Sequence, residues 1–590
     1  MRAIMVMFDT LRRDYLEPYG SLDTITPNFK RLAEKTVQFN QFHAGSLPCM
    51  PARRELHTGR YNFLHRGWGP VEPFDDSCFE ILKKNGVYTH LVTDHKHYWR
   101  DGGATYHPRY SSYEFIRGQE GDNWKAVVDK KIDVTGSEKE DKATAERKAI
   151  SRSQHHVNRS FMPNEEDHHL AKTIGAGIEF LETNVNADNW LLQIECFDPH
   201  EPFFVPKKYL KMYGIENEDD VWPTYSINQD SQEKTEKAKR HYKALITMCD
   251  AYLGKVLDYM DEHDMWKDTM LIVNTDHGFL LGEHEWWGKN IMPVYDEISH
   301  TPFFIWDPKL NVKNEQRESI AQTIDIPATI LDYFNIEQPK DMQGISLKEI
   351  IKNDKGQRKN ALFGYFGANI NITNGKNVYM RAPLYRTPHN LYEYTLMPTR
   401  INRRFTTDEL KNMELVEPLS FTKNCKVLKI ECDKIQPDNY RRFGNKLFDL
   451  EKDPNQKEPL NDIDLEFEMI MAMKELMKEN DCPEELYAYY GLDKINSKED
   501  LEKEYEEKNS YENLVLFSMK FESASVKEGF LVIEEILDDN IVDKIKNNLI
   551  KISEKTSIKE EDIFEEIRKN VDKSRQAEVL YKAMLAMRIE

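Results

Sequence analysis

Short apolar runs that end next to aspartate constrain the fold of this chain more than any other feature. The run Ala3–Phe8 leads directly into Asp9, and the run Met270–Asn274 is followed by Asp276 and His277. Runs of this kind, separated by helical segments, are typical of parallel strands buried on both faces. Ligands of such sheets bind beyond the carboxyl ends of the strands. We therefore expect these side chains to lie at one edge of a sheet.

The order of segments predicts the α/β class. From residue 1 to about 375 strand-like and helix-like segments alternate, which indicates a large, mostly parallel sheet sandwiched by helices. The predicted strands are Ala3–Phe8, His90–Thr93, Trp190–Cys196, Leu271–Asn274 and Pro302–Trp306. The predicted helices are Thr26–Lys35, Phe79–Asn85, His169–Asn184 and Glu236–Asp261. Residues 117–168 are polar and weakly periodic, so we expect a surface insertion that overhangs the site.

A chain of 590 residues is too long for one core. We predict an α/β catalytic domain over 1–375, a smaller α+β subdomain with an antiparallel sheet over 376–490, and a charged helical appendage over 491–590. The subdomain is expected to contain the strands Asn377–Arg381, Leu391–Thr395 and Lys426–Cys432. The appendage has helical spacing, which favours solvated amphipathic helices or a contact between copies in a homo-oligomer.

Composition narrows the partners and the compartment. The formal charge of -21 argues against a nucleic acid or an anionic membrane as partner, since either requires a basic face. No stretch approaches the roughly 18 apolar residues of a membrane span. Met1 and Arg2 run directly into the first strand, which leaves no room for a signal peptide. The seven scattered cysteines are typical of a reducing compartment, so we expect a cytoplasmic location.

One cysteine has an unusual setting. Cys49 lies between Pro48 and Pro51 in a basic segment, which predicts an exposed loop thiol rather than a core residue. The run Cys49-Met50-Pro51-Ala52-Arg53 resembles the CxPxR signature of the type I sulfatases, in the alkaline phosphatase-like superfamily. The following Leu56-His57-Thr58-Gly59-Arg60 resembles the second half of that signature. The resemblance covers roughly residues 1–490.

The resemblance implies a modified nucleophile. In that family a separate maturation enzyme oxidises the cysteine to formylglycine, so Cys49 is expected to be a precursor. The aldehyde hydrates to a gem-diol, one oxygen of which attacks the ester. The sulfated diol then collapses to the aldehyde and expels sulfate without a second attack at sulfur.

The resemblance also implies one divalent metal ion, with Ca²⁺ expected and Mg²⁺ or Mn²⁺ as alternatives. Its ligands would be Asp9, Thr10, residue 49, Asp276 and His277. The family usually has a second acidic residue where this chain has Thr10, so Thr10 is either a weaker hydroxyl ligand or a spectator. The phosphonate monoester hydrolase branch of the superfamily also lacks that acid and pairs Asp with His at the later position.

Catalytic roles are implied for three further residues. Arg53 would hold the diol and the sulfate, His200 would protonate the leaving oxygen, and Lys289 would pair with a substrate oxygen.

The segment 93–98 departs from the Gly-Lys-x-His pattern of many sulfatases. His95, Lys96 or His97 would activate the second diol hydroxyl or bind substrate, and we favour His97. A structural role for one of these histidines is an equal alternative.

Three functions follow from this sequence. The first is a sulfatase that hydrolyses the sulfate ester of a small carbohydrate, because a cytoplasmic acidic enzyme suits a small substrate. The second is a phosphonate monoester or phosphodiester hydrolase with the same nucleophile and metal, which Thr10 and His277 favour. The third is a catalytically silent binding protein, which predicts an unmodified Cys49.

Overall fold

The computed structural model describes residues 1–130, 142–216, 221–222, 225, 231–384, 390–432 and 443–506, with the backbone alone for 142–147. Residues Met1–Asp493 form one compact unit, and the second unit begins at Lys494. Of the second unit, the described part ends at residue 506 and contains a helix over 498–506. Most of the predicted appendage therefore lies outside the described residues, and the domain boundaries at 375 and 490 stay predictions.

The bounds of the elements follow chain order. The strands are β1 (Arg2–Phe8), β2 (Val37–Phe39), β3 (Phe42–His43), β4 (Tyr88–Thr93), β5 (Ser112–Phe115), β6 (Trp190–Cys196), β7 (Thr269–Thr275), β8 (Leu280–Leu281), β9 (Trp287–Gly288), β10 (Phe303–Trp306), β11 (Glu315–Arg317), β12 (Ala321–Gln322), β13 (Ala361–Gly364), β14 (Ile370–Thr373), β15 (Asn377–Arg381), β16 (Tyr392–Thr395), β17 (Glu414–Val416), β18 (Val427–Glu431) and β19 (Lys446–Asp449). The α-helices are α1 (Pro27–Lys35), α2 (Cys49–Thr58), α3 (Cys78–Lys84), α4 (Lys142–Arg159), α5 (His169–Thr183), α6 (Lys207–Met212), α7 (Gln232–Glu262), α8 (Asp296–Ser299), α9 (Asp325–Tyr333), α10 (Lys348–Asn353), α11 (Ile463–Glu479) and α12 (Glu484–Tyr489).

The large sheet confirms the predicted α/β class. Its eight strands have the order β11-β2-β10-β7-β1-β6-β4-β5. All neighbours are parallel except β10, which is antiparallel to both β2 and β7. The five strands predicted in this region all lie in the sheet.

Both faces of the sheet are covered by helices, as the alternation of side chains along β1 illustrates. Ile4, Val6 and Phe8 pack with apolar residues of α1, α5 and α7. Ala3 and Met5 pack in a separate cluster with residues of α3 and α9. Successive side chains of a strand point to opposite faces, so an entirely apolar run requires a partner on each side.

Smaller antiparallel sheets follow in the C-terminal part of this unit. One has the order β13-β14-β15-β19 and another the order β16-β18-β17. The first sheet packs Val378, Met380 and Phe448 against Leu47 and Ile298, which belong to the region of the large sheet. These sheets confirm the predicted antiparallel part of the fold.

The predicted exposed loop around Cys49 is wrong. Cys49 is the first residue of α2, all ten residues of this helix are buried, and Cys49 itself is 2% exposed. Proline is tolerated in the first helical turn, where its missing N–H has no intrahelical acceptor, so Pro51 at the third position does not prevent a helix. Pro48 directly precedes the helix, and Pro51 lies in its first turn.

The insertion at 117–168 lies only partly at the surface. Gln119 and Asn158 are buried, and the Asn158 side chain donates to the carbonyl oxygen of Asp122 at 2.8 Å. The amide of Gln119 donates to Asp198 Oδ1 at 3.2 Å. Part of the insertion is thus packed at the ends of the strands, and residues 131–141 lie outside the described part. Among the described helices, none has both the length and the apolar character that crossing a membrane requires.

Candidate active site

The central strands place the first site residues side by side. β1 pairs with β6 on one edge and with β7 on the other, so that Phe8 lies opposite both Cys196 and Thr275. The next residue of β1 is Asp9, whose backbone N–H donates to the carbonyl oxygen of Cys196 at 2.9 Å. Asp276 follows Thr275 directly. The register of the sheet therefore brings together two carboxylates that are separated along the chain by more than half of the first unit.

Four predicted residues form one buried cluster. The ligand atoms of Asp9, Cys49, Asp276 and His277 all lie within 4.8 Å of one another. Cys49 Sγ is 3.2 Å from Nε2 of His277 and 4.0 Å from Oδ1 of Asp9. The thiol thus lies where the two strand ends meet the start of α2.

Arg53 lies one helical turn after Cys49 and contacts three carboxylates. Its guanidinium donates to Glu195 at 2.7 Å, to Asp276 at 2.7 Å and to Asp9 at 2.9 Å. It also donates to the carbonyl oxygen of Cys49 at 2.9 Å. The arginine therefore fixes the geometry of the cluster, and one positive charge faces three buried acids.

Glu195 was missed by the sequence analysis. It is fully buried in β6, where it binds Arg53 and accepts a hydrogen bond from Tyr98 at 3.0 Å. A signal was available, because a charged residue inside the mostly apolar run Leu191–Cys196 requires a buried partner.

The acids of the cluster are electrostatically coupled. Burial and the neighbouring Asp276 raise the pKa of Asp9 well above its ordinary value. Burial also opposes the ionisation of Asp276, but His277 and Arg53 hold the pKa of that carboxyl below its ordinary value. Two adjacent carboxylates, an imidazole and a further ligand at residue 49 form a donor set that suits a divalent cation. These residues fit the metal that the sequence implies.

The loop after β7 orients His277. Its Nδ1 is 2.9 Å from the carbonyl oxygen of Gly278, which fixes the proton on Nδ1 and leaves the lone pair of Nε2 towards Cys49. Burial lowers the pKa of His277 to about 4, so the ring is neutral at pH 7, as a metal ligand must be. Gly278 is required here, since a Cβ would overlap the carbonyl oxygen of Glu297.

Thr10 and Lys289 form a bridge beside the cluster. The Thr10 hydroxyl donates to Asp9 Oδ1 at 2.6 Å and accepts from Lys289 Nζ at 3.0 Å. Thr10 has φ of 65°, in the left-handed region that a β-branched residue rarely adopts. Burial opposes the charged form of Lys289, but Cys49, Glu201 and Asp9 raise its pKa above the ordinary value. The ammonium is thus held charged next to Asp9.

His200 lies on the same side as Lys289. Its Nδ1 is 2.8 Å from the carbonyl oxygen of Glu201 and 3.1 Å from the carboxylate of the same residue. Burial, followed by the charge of Lys289, lowers the pKa of His200 well below its ordinary value. The ring is therefore neutral as placed, and the Glu201 carboxylate is positioned to stabilise a protonated ring. Glu201 was not singled out by the sequence analysis.

The segment 93–98 follows β4 at the same end of the sheet. His95 is fully buried, and neither of its ring nitrogens has a hydrogen-bond partner within the described residues. His97 is half-buried and packs edge-on against Trp68 and His95, with ring centroids 5.2 and 5.0 Å apart. Lys96 pairs with Glu120 of the insertion. No hydrogen bond or ion pair joins His97 to Cys49 in the part of the chain that the structure describes.

The cysteine is unreactive as encoded. Burial, followed by the charge of Asp9, raises the pKa of the Cys49 thiol well above its ordinary value. A thiol rather than a thiolate is therefore present at neutral pH, and a thiol is a weak nucleophile.

The fold and this cluster define a hydrolase of the sulfatase class, and comparison with known families agrees. The Sulfatase family model matches residues 2–336, and the model for the C-terminal part of N-sulphoglucosamine sulphohydrolase matches residues 282–393. The chain belongs to the sulfatase family, whose members are sulfuric ester hydrolases.

Two characterised relatives support the assignment. An arylsulfatase of Clostridium perfringens is 23% identical over 389 residues, which cover 61% of this chain and 80% of the relative. An N-acetylglucosamine-6-O-sulfatase of Bacteroides thetaiotaomicron is 31% identical over 137 residues, which cover 22% of this chain and 24% of the relative.

Two solved structures have a similar fold. One is a complex of a protein with its substrate D-glucosamine-2-N,6-O-disulfate; its TM-score is 0.55 at 15% identity, covering 81% of this chain and 98% of that one. The other is a phosphonate monoester hydrolase of Agrobacterium radiobacter, with a TM-score of 0.55 at 17% identity, covering 81% and 96%.

Proposed function

We propose that this protein hydrolyses the sulfate ester of a small sulfated carbohydrate, with a formylglycine made from Cys49 as its nucleophile. The observation that carries the proposal is the convergence of Asp9, Cys49, Asp276 and His277 within 4.8 Å in a member of the sulfatase family. A relative named for N-acetylglucosamine 6-O-sulfate and a similar fold with a sulfated glucosamine support a carbohydrate as substrate.

Asp9, Asp276, His277 and the oxygen of residue 49 would hold one divalent cation, Ca²⁺ by their mostly oxygen donors, with Mg²⁺ or Mn²⁺ as alternatives. When bound, the cation acidifies the nucleophile and offsets the negative charge of the sulfate group. Thr10 is less suited as a fifth ligand, because its hydroxyl proton is directed to Asp9 and its oxygen accepts from Lys289.

The other residues take up charge and protons. Lys289 would bind a sulfate oxygen, because its ammonium is buried and charged beside residue 49. Arg53 would hold Asp9 and Asp276 in place and donate a hydrogen bond from a remaining guanidinium N–H to the sulfate group of the substrate. As the ester S–O bond breaks, the leaving alkoxide needs a proton, which His200 would supply once substrate binding and Glu201 favour its protonated form. A base is then needed to release sulfate, and His97 or the unpartnered His95 lies at the same strand end.

A second candidate is a phosphonate monoester or phosphodiester hydrolase with the same nucleophile and metal. The observation in its favour is Thr10, a hydroxyl at the position where sulfatases usually have a second acid. Kinetics on an aryl sulfate and a phenyl phosphonate ester, measured side by side, separate the two. A kcat/KM that is higher for the phosphonate would overturn the sulfatase proposal.

The nucleophile is tested by intact mass spectrometry of the Cys49 peptide from the native host. The aldehyde replaces CH₂SH by CHO, which lowers the mass by about 18 Da. An unmodified thiol together with no turnover on either ester would instead support the catalytically silent binding protein.

A further inference from the structure

A second group of metal-competent side chains is buried beside the candidate active site. It consists of Asp94, His168, His169 and Asp198, each at most 2% exposed, and is called the His168 cluster below. Asp94 follows β4 and Asp198 follows β6, which are adjacent parallel strands with Thr93 opposite Glu195. His168 and His169 lie at the start of α5. Three elements of the fold thus converge on one point.

The side-chain atoms have the spacing of ligands around one ion. Nδ1 of His169 is 3.4 Å from Oδ2 of Asp198, and Nδ1 of His168 is 3.7 Å from the same oxygen. Bonds of about 2.0–2.1 Å to a tetrahedral zinc ion place neighbouring ligand atoms about 3.3 Å apart. The ligand atoms of His168, His169 and Asp198 all lie within 4.8 Å of one another, and Oδ2 of Asp94 lies 3.0 Å from Nδ1 of His169 beside them.

The outer atoms of these groups are bound within the protein, whereas the inner nitrogens make longer contacts: the N–H of Leu170 is 3.3 Å from Nδ1 of His168, and Nε2 of Gln119 is 3.4 Å from Nδ1 of His169. Nε2 of His168 is 3.1 Å from the carbonyl oxygen of Phe204, so the proton of this ring is on Nε2 and the Nδ1 lone pair faces inwards. Oδ1 of Asp94 accepts from the N–H of Phe197 at 2.7 Å. The Gln119 amide donates to Oδ1 of Asp198 at 3.2 Å.

One inner atom is unsatisfied. Oδ2 of Asp198 has no hydrogen-bond partner within the described residues, although it is buried. Nitrogen lone pairs and a bare carboxylate oxygen that face each other in a protein interior are costly without a cation or a proton between them.

The charges of the His168 cluster also require compensation. Histidines are the only ion-pair partners of Asp94 and Asp198 among the residues that the structure describes. A divalent ion would supply a positive charge next to these buried carboxyl groups.

We propose that His168, His169 and Asp198, with Asp94 beside His169, bind a first-row transition-metal ion, best matched by Zn²⁺, in a structural site separate from the one at Asp9 and Asp276. Two imidazole nitrogens with carboxylate oxygens are a typical donor set for such ions, whereas Ca²⁺ takes oxygen ligands. The full burial of these side chains leaves no access for substrate. The ion joins β4, β6 and α5, and it anchors the two segments that carry His95 and His200.

The test is elemental analysis of untagged protein by inductively coupled plasma mass spectrometry. We expect about one transition-metal ion per chain in the wild type, and the same content in Asp276→Asn, which disrupts only the proposed catalytic cation. The content of this metal per chain should be at least about tenfold lower in the double variant His168→Gln/His169→Gln. The control His90→Gln removes a half-buried imidazole that stacks on Phe180 of α5, and it should keep the metal.

A direct measurement on the wild type keeps the proposal testable even where the double variant does not fold. Chelator-stripped protein titrated with Co²⁺ should develop visible d–d absorption that saturates near about one equivalent. Absence of both native transition metal and stoichiometric Co²⁺ binding overturns the proposal, as does loss of the metal in Asp276→Asn. If the protein contains no transition metal as purified, binds no Co²⁺ and still hydrolyses sulfate esters, this site is refuted and the proposed function stands.

Discussion

At the scale of single residues, Arg53 organises the candidate site. It is 1% exposed and is the hydrogen-bond donor to Asp9, Glu195 and Asp276. A buried guanidinium with carboxylates on three sides offsets their repulsion, and its planar geometry fixes their positions.

Arg53→Ala is expected to destabilise the protein by about 3–5 kcal/mol, because it leaves buried carboxylates without their partner. The matched control is Arg31→Ala, which removes a surface arginine paired with Asp258 and Asp261 and should cost at most about 1 kcal/mol. Urea unfolding of both variants measures the two losses. Equal losses would show that the interior ion pairs contribute no more than the surface ones.

Cys49→Ala should abolish turnover, since it removes the precursor of the proposed nucleophile. The thiol is buried, so a modest loss of stability of about 1 kcal/mol should accompany the loss of activity. Turnover assays and thermal melts of the variant measure the two effects. Residual activity above that of a buffer control would refute the assignment of the nucleophile.

At the scale of elements, α2 is the segment for which the sequence was least informative. Its ten residues are all buried although five of them are polar or charged, because most of these groups have specific partners. Arg54 donates to Asp75 at 2.7 Å, and Glu55 accepts from the backbone and the hydroxyl of Ser46. A hydrophobic pattern cannot reveal a helix that is buried through ion pairs and hydrogen bonds. Five strands of the large sheet contain apolar runs and were predicted to within two residues at each end, whereas β2, β5 and β11 were missed.

His57, on α2, should make stability depend on pH. It is surrounded by Phe79, Tyr106 and Tyr110, and burial lowers its pKa to about 3. Because the unfolded chain binds a proton near pH 6.5 and the folded chain does not, stability is full above that pH and falls as pH decreases towards 3.

The variant His57→Gln lacks this group, so the wild type should lose up to about 1.4 kcal/mol per pH unit relative to the variant between pH 6.5 and 4. Urea unfolding at several pH values measures the difference. A difference that does not change with pH would show that His57 titrates normally in the folded protein.

The site as a whole also divides into residues that a local sequence pattern predicts and residues that only tertiary contacts bring together. Asp9, Asp276 and His277 could be predicted because each follows an apolar strand, and the strand register then determines their proximity. The partner of Glu195 and the His168 cluster could not, since they depend on contacts of β6 with α2, β4 and α5 that no local pattern encodes.

At the scale of the molecule, the apolar clusters on the two faces of the large sheet consist of residues between Met1 and Ile351. A chain that ends at residue 506 contains both clusters and all the predicted site residues. We expect its melting temperature to stay within about 5 °C of that of the full chain, because it keeps every residue of both clusters.

Light scattering of the two chains also tests the predicted oligomer contact. A dimeric full chain and a monomeric shorter chain would support a role of residues 507–590 in assembly. A shorter chain that no longer unfolds cooperatively would contradict the independence of the first unit.

The position of β1 has a consequence for synthesis of the protein. Its two edges are occupied by β6 and β7, which begin at Trp190 and Thr269. At about 5–20 residues per second, the second edge stays open for roughly 13–50 s while an apolar strand is already outside the ribosome. Nascent chains stalled before residue 269 should therefore bind an Hsp70-type chaperone, and binding at equal strength after release of the complete chain would contradict this. The first strand to be made therefore waits for partners far along the chain, and its open edges need protection until both have been synthesised.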